Sequence, residues 1–296
     1  MKRKIIPILS DIRYPISDIR NRVFLAPMEE VNDPAFRMLC KKAGAALTWT
    51  PLTSPLSPLP LILDDKPILQ LFGGSELLKS DVRLQMSDFM KLYDSKVSGW
   101  DFNLGCPATT AKNHCYGSYL ESPETVEKII SFMREHTEKP LLMKIRKSKY
   151  SYDYLKIAEK YCDAISIHPR TKEQAYSGDP DIEWAKGFKK DAKIPVIYSG
   201  NIDEKNHEEF LKTFDYVMIG RNAIGHPEIF AKISGNKRFK RDFKDYLVIA
   251  EKYDVPWRII KFQAMQFTKG DYGSREKRAS MIKVKNLEEL KKIFFE

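Results

Sequence analysis

Cys106 lies between Gly105 and Pro107, three residues after Asn103, where the apolar run that begins at Trp100 breaks. A run that ends in Gly-Cys-Pro reads as a buried strand handing over to a surface loop. In an alternating strand–helix chain, chemistry collects just past such strand ends. Asn103 brings a bidentate amide. Cys106 brings a thiol with an ordinary pKa near ~8.5, which is mostly protonated at neutral pH and can donate a proton. The usual fate of a lone cysteine is burial in a core, and the flanking Gly and Pro argue against that here. Cys115 falls in a loop beside His114 and reads as incidental, while Cys40 and Cys162 read as structural.

Lys144 and His168 also end apolar runs, LLMK and AISIH. A cation at a strand end can stabilise negative charge on a bound cofactor, and Pro169 forces a turn straight after the histidine. Gln70 sits inside the apolar run PILQLFG, where a buried amide needs partners. Two glycine turns, Ser199-Gly200-Asn201 and Gly220-Arg221, close the last two runs. Glycine turns let backbone N–H groups approach a phosphate, a common arrangement after the last two strands of a barrel, and Arg221 adds a fixed charge. This pattern implies a phosphorylated ligand.

These residues need a scaffold of strands and helices in alternation. Strand-like runs occur at Arg22–Met28, Ala45–Thr50, Pro67–Gly73, the run to Asn103, KPLLMKIRKS, DAISIHPR, KIPVIYSGNI and YVMIGRNAIG. Between them lie helical stretches such as Pro123–His136, with Val126, Ile129, Ile130 and Met133 on one face. Eight such units predict an α/β fold, a (β/α)8 TIM barrel over residues 1–228. From 229 to 296 the alternation stops and the pattern is helical, predicting a small all-helical C-terminal domain. Lys232 to Glu296 holds 17 Lys and Arg against 9 Asp and Glu, a balance of +8, which leaves +2 for the 231 residues before it.

The 296 residues are 43% hydrophobic and 30% charged, with a net charge of +10, enough for a sizeable core and suited to a polyanionic partner. No run approaches the ~18 apolar residues of a membrane span. The basic start, MKRK, leads to Pro7 and Asp11 and not to a secretory core, so a cytoplasmic location is expected. The four cysteines form no CxxC and no zinc spacing, so no metal is expected.

The segments LAPMEEVNDPAFR, QLFGGS, NLGCP, MKIRKS, IHPRTKEQAYSG, IPVIYSGNI and VMIGRNAIGHPEIF, with a weaker echo in KFQAMQFTKGDYGSREKRASM, resemble the tRNA-dihydrouridine synthases over nearly the whole chain. The resemblance implies FMN held by Pro27, Met28, Glu29, Gln70, Lys144 and His168, with its phosphate on Ser199, Gly200, Asn201, Gly220 and Arg221. It implies that Asn103 and Arg170 face a flipped uracil, that Cys106 is the general acid, and that NADPH is the reductant. The substrate would be tRNA, met by the basic tail and in particular by Arg275, Lys277 and Arg278. The chain departs from the family at Pro169, where HPRT replaces the usual HGRT, and at Ser199-Gly200-Asn201, which replaces an NGD turn. Two other readings are an FMN barrel reductase of free pyrimidines and a non-catalytic RNA-binding barrel. The first has no use for a +8 tail, and the second predicts a colourless protein.

Overall fold

The computed structural model describes residues 22–57, 60–270 and 273–295. The basic start and the two residues Asp271 and Tyr272 of the tail motif lie outside the described residues. Seven strands, all parallel, form one sheet: β1 (Val23–Leu25), β2 (Ile68–Leu71), β3 (Gly99–Leu104), β4 (Leu141–Arg146), β5 (Ala164–His168), β6 (Val196–Ser199) and β7 (Tyr216–Ile219). Their order is β1-β7-β6-β5-β4-β3-β2, so each strand from β2 to β7 lies beside the next in sequence and β1 returns to β7. Every strand residue is buried except Lys144 and Ser199, which are half-buried and stand at or near strand ends. Burial on both faces is why these strands read as unbroken apolar runs and not as alternating ones.

The sheet curls around its own inner layer. Phe24, Trp49, Ile68, Leu142, Ala164, Ile197, Tyr216 and Met218 form one apolar cluster drawn from six of the strands and the 45–49 segment. Phe24 stacks on Tyr216 with ring centroids 5.1 Å apart. The larger cluster seals the outer face under the helices.

The eight-strand expectation meets seven strands among the described residues. Ala45–Thr50 forms no ladder strand and contributes an isolated bridge at Trp49. It is still held on both sides: Leu25 N–H donates to Leu47 O at 2.9 Å and Ala46 N–H to Val23 O, while Ile68 N–H donates to Thr48 O and Thr50 N–H to Ile68 O. The pairing lapses at Pro51, which has no N–H to donate, and resumes in a second isolated bridge between Thr53 and Leu71.

Helices α1 (Pro34–Ala43), α2 (Ser80–Tyr93), α3 (Thr109–Asn113), α4 (Pro123–Glu135), α5 (Ser151–Tyr161), α6 (Ile182–Asp191) and α7 (His207–Thr213) occupy the connections. Asp33 caps α1 by accepting from Ala35 and Phe36 N–H, with Pro34 at the first helical position. Ser122 and Asp181 cap α4 and α6 in the same way. After β7 the described residues form helices and no strand: α8 (Glu228–Ser234), α9 (Phe243–Lys252), α10 (Trp257–Phe267), α11 (Ser274–Lys283) and α12 (Leu287–Phe295). Helices α8 and α9 pack on α1, which joins the tail to the first β–α unit. Among the described residues no helix is long and apolar enough to cross a membrane, and no cluster of side chains is arranged to hold a metal ion.

Candidate active site

A cavity of about 660 Å³ opens at the C-terminal ends of the strands. Pro27, Met28 and Glu29 line it from the loop after β1, Gln70 from β2, Asn103 and Cys106 from β3, and Lys144 and Arg146 from β4. His168 of β5, Ser199, Gly200 and Asn201 after β6, and Gly220 and Arg221 after β7 complete the ring. Parallel strands that all end on one side bring these scattered residues together.

A line of hydrogen bonds runs beneath the cavity. Asp101 is fully buried, and its Oδ2 accepts from Trp49 Nε1 at 2.9 Å and from Gln70 Nε2 at 2.7 Å. Gln70 Oε1 accepts from Asn103 Nδ2 at 2.9 Å. Asn103 Oδ1 accepts in turn from the backbone N–H groups of Gly105 (3.1 Å) and Cys106 (2.9 Å). The Cys106 loop is braced from two further directions. Arg146 Nε donates to Gly105 O at 2.7 Å, and Ser118 donates to Cys106 O through both its N–H and its hydroxyl. Gly117 is required here: its φ is +60°, and a Cβ would stand 2.9 Å from Cys106 Cβ and O.

The electrostatics suit a neutral acid and a neutral imidazole. Burial pushes the Cys106 thiol up, and Glu29 adds to this, against smaller pulls from Arg146 and Lys144. The proton therefore stays on sulfur at neutral pH. Burial, together with Lys144, Arg146, Arg170 and Arg221, drives His168 down to about 2. Arg170 Nη1 lies 3.0 Å from His168 Nε2. A guanidinium only donates, so Nε2 accepts and the ring proton sits on Nδ1. Burial also lowers Lys144 to about 8, helped by Arg146 and opposed by Asp101 and Cys106.

The family model for dihydrouridine synthase (Dus) matches residues 24–291. The chain belongs to the dihydrouridine synthase family. It is 30% identical over 244 residues to tRNA-dihydrouridine synthase B of Shewanella oneidensis, covering 74% of each chain. It is also 30% identical over 246 residues to the enzyme of the same name from Pseudomonas aeruginosa, covering 76% of this chain and 72% of that one. A solved structure of 2-naphthoyl-CoA reductase with 2-naphthoyl-CoA superposes with a TM-score of 0.53 at 12% identity, covering 73% of this chain and 50% of that one. At that identity the likeness is one of fold alone.

Within this dihydrouridine synthase the cavity does not gather Arg170 with the other predicted residues of the strand ends. Arg170, expected to face the base, is 1% exposed and does not line the cavity. Its guanidinium is used by Ser177 O, Gly178 O, His168 Nε2 and Asn201 Oδ1. The turn at Pro169, closed by Arg170 N–H donating to His168 O at 2.8 Å, sends the side chain under the 177–178 loop. Asn201 has φ 53°, and its Oδ1 accepts from both Arg170 and Arg221 (3.2 Å). A side-chain amide thus does the acceptor's work at the departure from the NGD pattern. Arg275 and Lys277 are exposed on α11 and Arg278 is half-buried there; none of them lines the cavity.

Four further residues belong to this architecture. Asp101 anchors the amide line. Arg146 follows Lys144 by two residues, which puts both on one face of β4, a spacing that was open to reading from the sequence. Tyr176 is 57% exposed at the cavity mouth, with Arg146 5.3 Å and Arg221 5.4 Å from its ring. Gln263 of α10 is fully buried and donates to Val31 O at 2.8 Å and Asp33 Oδ2 at 2.9 Å, tying the tail to the loop after β1.

Proposed function

We propose that this dihydrouridine synthase reduces uridine in tRNA to 5,6-dihydrouridine, with FMN held in the cavity and NADPH as the reductant. The observation that carries this reading is the Cys106 thiol on a braced loop at the wall of a cavity that also bears Gln70, Lys144 and His168. The cavity suits FMN in chemistry as well as size. Gly200 and Asn201 line the cavity in the turn after β6, and Arg221 stands beside them with its guanidinium 3.2 Å from Asn201 Oδ1, a glycine turn with a fixed positive charge that suits a phosphate. Lys144 offers positive charge and His168 a neutral ring at the inner wall. FMN bound there would, once reduced by NADPH, supply a hydride to a ring carbon of the base.

The chain's own residues do the rest. Pro27, Met28, Glu29, Gln70, Lys144 and His168 hold the ring, and Ser199, Gly200, Asn201, Gly220 and Arg221 hold the phosphate. Asn103, fixed by Gln70 and by the Cys106 backbone, orients the uracil. Cys106 Sγ delivers a proton to the neighbouring carbon, and its raised pKa keeps that proton available at neutral pH. Ala45–Thr50, bonded to β1 and to β2, serves as the eighth strand of a (β/α)8 barrel. Residues 1–228 then form the catalytic unit and 229–296 the tRNA-binding unit, where Arg275, Lys277 and Arg278 meet phosphates. The +8 balance of that segment favours tRNA over a free pyrimidine as substrate.

The test is direct. The purified protein should be yellow with roughly one flavin per chain, and with NADPH it should convert uridine to dihydrouridine in an unmodified tRNA transcript, read by mass spectrometry. Turnover of free uracil with none of tRNA would refute the reading.

A further inference from the structure

Gln70 and Asn103 bring adjacent amides to the cavity wall, and an amide can show either a carbonyl or an N–H to a ligand. Here both ends of the line fix the choice. At one end Asp101 faces Trp49 Nε1–H, which only donates, and Gln70. At the other end the backbone N–H groups of Gly105 and Cys106 need an acceptor from Asn103. Only one polarity satisfies both ends: carboxylate from Gln70 N–H, Gln70 carbonyl from Asn103 N–H, Asn103 carbonyl from Cys106 N–H. Strand register supports it. Gln70 and Asp101 are direct partners across β2 and β3, and Asn103 follows Asp101 by two residues and so shares its face.

We propose that Asp101 is a positioning residue that fixes this polarity, so that Gln70 and Asn103 each keep one amide N–H free to recognise a carbonyl oxygen of a pyrimidine-2,4-dione ring. The inference rests on the function proposed above. Both the flavin and uracil carry such a ring, while cytosine carries an amino group in place of one carbonyl and would meet N–H with N–H. Burial raises the Asp101 carboxyl to about 6, with the bonds from Gln70 and Trp49 holding it down, so it is ionised and acceptor-only at neutral pH. Its other oxygen, Oδ1, is buried without a partner. An Asn at this position keeps an oxygen to accept from Trp49 and Gln70 and buries its unpartnered NH2 at the Oδ1 position, which costs stability but leaves the polarity of the line unchanged.

The test compares full-length wild type, Asp101→Leu and Asp101→Asn. Three readouts apply: FMN affinity of the apoprotein by flavin fluorescence, reoxidation of the NADPH-reduced holoenzyme by an unmodified tRNA transcript, and side-chain amide NMR of Asn- and Gln-labelled apoprotein. Asp101→Leu removes the acceptor. It should weaken FMN binding through Gln70 and raise the KM for tRNA through Asn103, each about tenfold; tenfold is about 1.4 kcal/mol. Asp101→Asn should stay within about threefold of wild type, because it keeps the acceptor. In the NMR spectra the Gln70 and Asn103 signals should move in Asp101→Leu and hold in Asp101→Asn. The inference is overturned if Asp101→Leu matches wild type, or if Asp101→Asn falls as far as Asp101→Leu. A wild type that bound no FMN would sink the proposed function, and the amide spectra of the apoprotein would still decide the role of Asp101.

Discussion

Gln263 allows the tie between tail and barrel to be tested with a sign as well as a size. Its Nε2 donates to Asp33 Oδ2 and Val31 O, and its Oε1 is buried without a partner. Gln263→Leu keeps the bulk and removes both bonds. A bond to a carboxylate contributes about 2 kcal/mol and one to a carbonyl about 1 kcal/mol, while removing the unpartnered oxygen returns about 1 kcal/mol. The net loss should be about 2 kcal/mol at neutral pH.

That loss should depend on pH. Burial raises Asp33 from its ordinary 3.8 to about 6, against the opposing bonds from Phe36 and Gln263. Between those values the folded protein holds a proton that the unfolded chain has released. Stability therefore falls as pH rises through this window and is flat above about 6. Without Gln263 the folded pKa rises further, so the variant loses more stability on the way to neutral pH. The gap to wild type should be about 2 kcal/mol at pH 7.5 and about 1 kcal/mol at pH 5, where the carboxylate is largely neutral. Urea unfolding at the two pH values measures both. An equal gap at each pH, or a wider one at pH 5, would refute the assignment of Asp33 as the partner that matters.

Other predictions concern the site itself. Arg221→Ala should weaken FMN retention about tenfold, measured by flavin fluorescence on dilution, because a charged phosphate contact is lost. Cys106→Ala should keep FMN and its reduction by NADPH yet lose about 10²–10⁴-fold in dihydrouridine formation; Cys115→Ala, exposed in its loop, should be nearly silent, and equal defects would reassign the proton donor. Replacing Arg275, Lys277 and Arg278 together by Ala should raise the KM for tRNA and lower the salt slope of binding by about 2, since one of the three is half-buried. Identical slopes would leave the tail a solvated surface.

Much of the cavity was legible because the parallel α/β pattern does the placing. Lys144, His168, Ser199 and Gly220 each follow an apolar run, and parallel strands carry such residues to one rim whatever their distance in sequence. Cys106 was marked by the Gly and Pro beside it. The Ala45–Thr50 run was equally apolar, but Pro51 interrupts its pairing with β2, which is left as isolated bridges at Trp49 and Thr53 and not as a ladder.

What stayed hidden were the roles that depend on a partner. Asp101 lies inside WDFNL, and nothing local marks it. Its meaning comes from Trp49 and Gln70, which are 52 and 31 residues away. Gln263 looks like one polar residue on an amphipathic helix until Val31 and Asp33 appear, more than 200 residues earlier. Arg170 shows the reverse: its motif position points to the rim, while its side chain is buried and bonded to Gly178 O and Asn201. Position in a strand–helix pattern decides whether a residue reaches the rim. Polarity at the rim is decided by the hydrogen-bond partner behind it, and that partner is set by the fold. A motif can therefore nominate Asn103 as a base contact, but only the carboxylate beneath Gln70 determines which atom of that amide the base would meet.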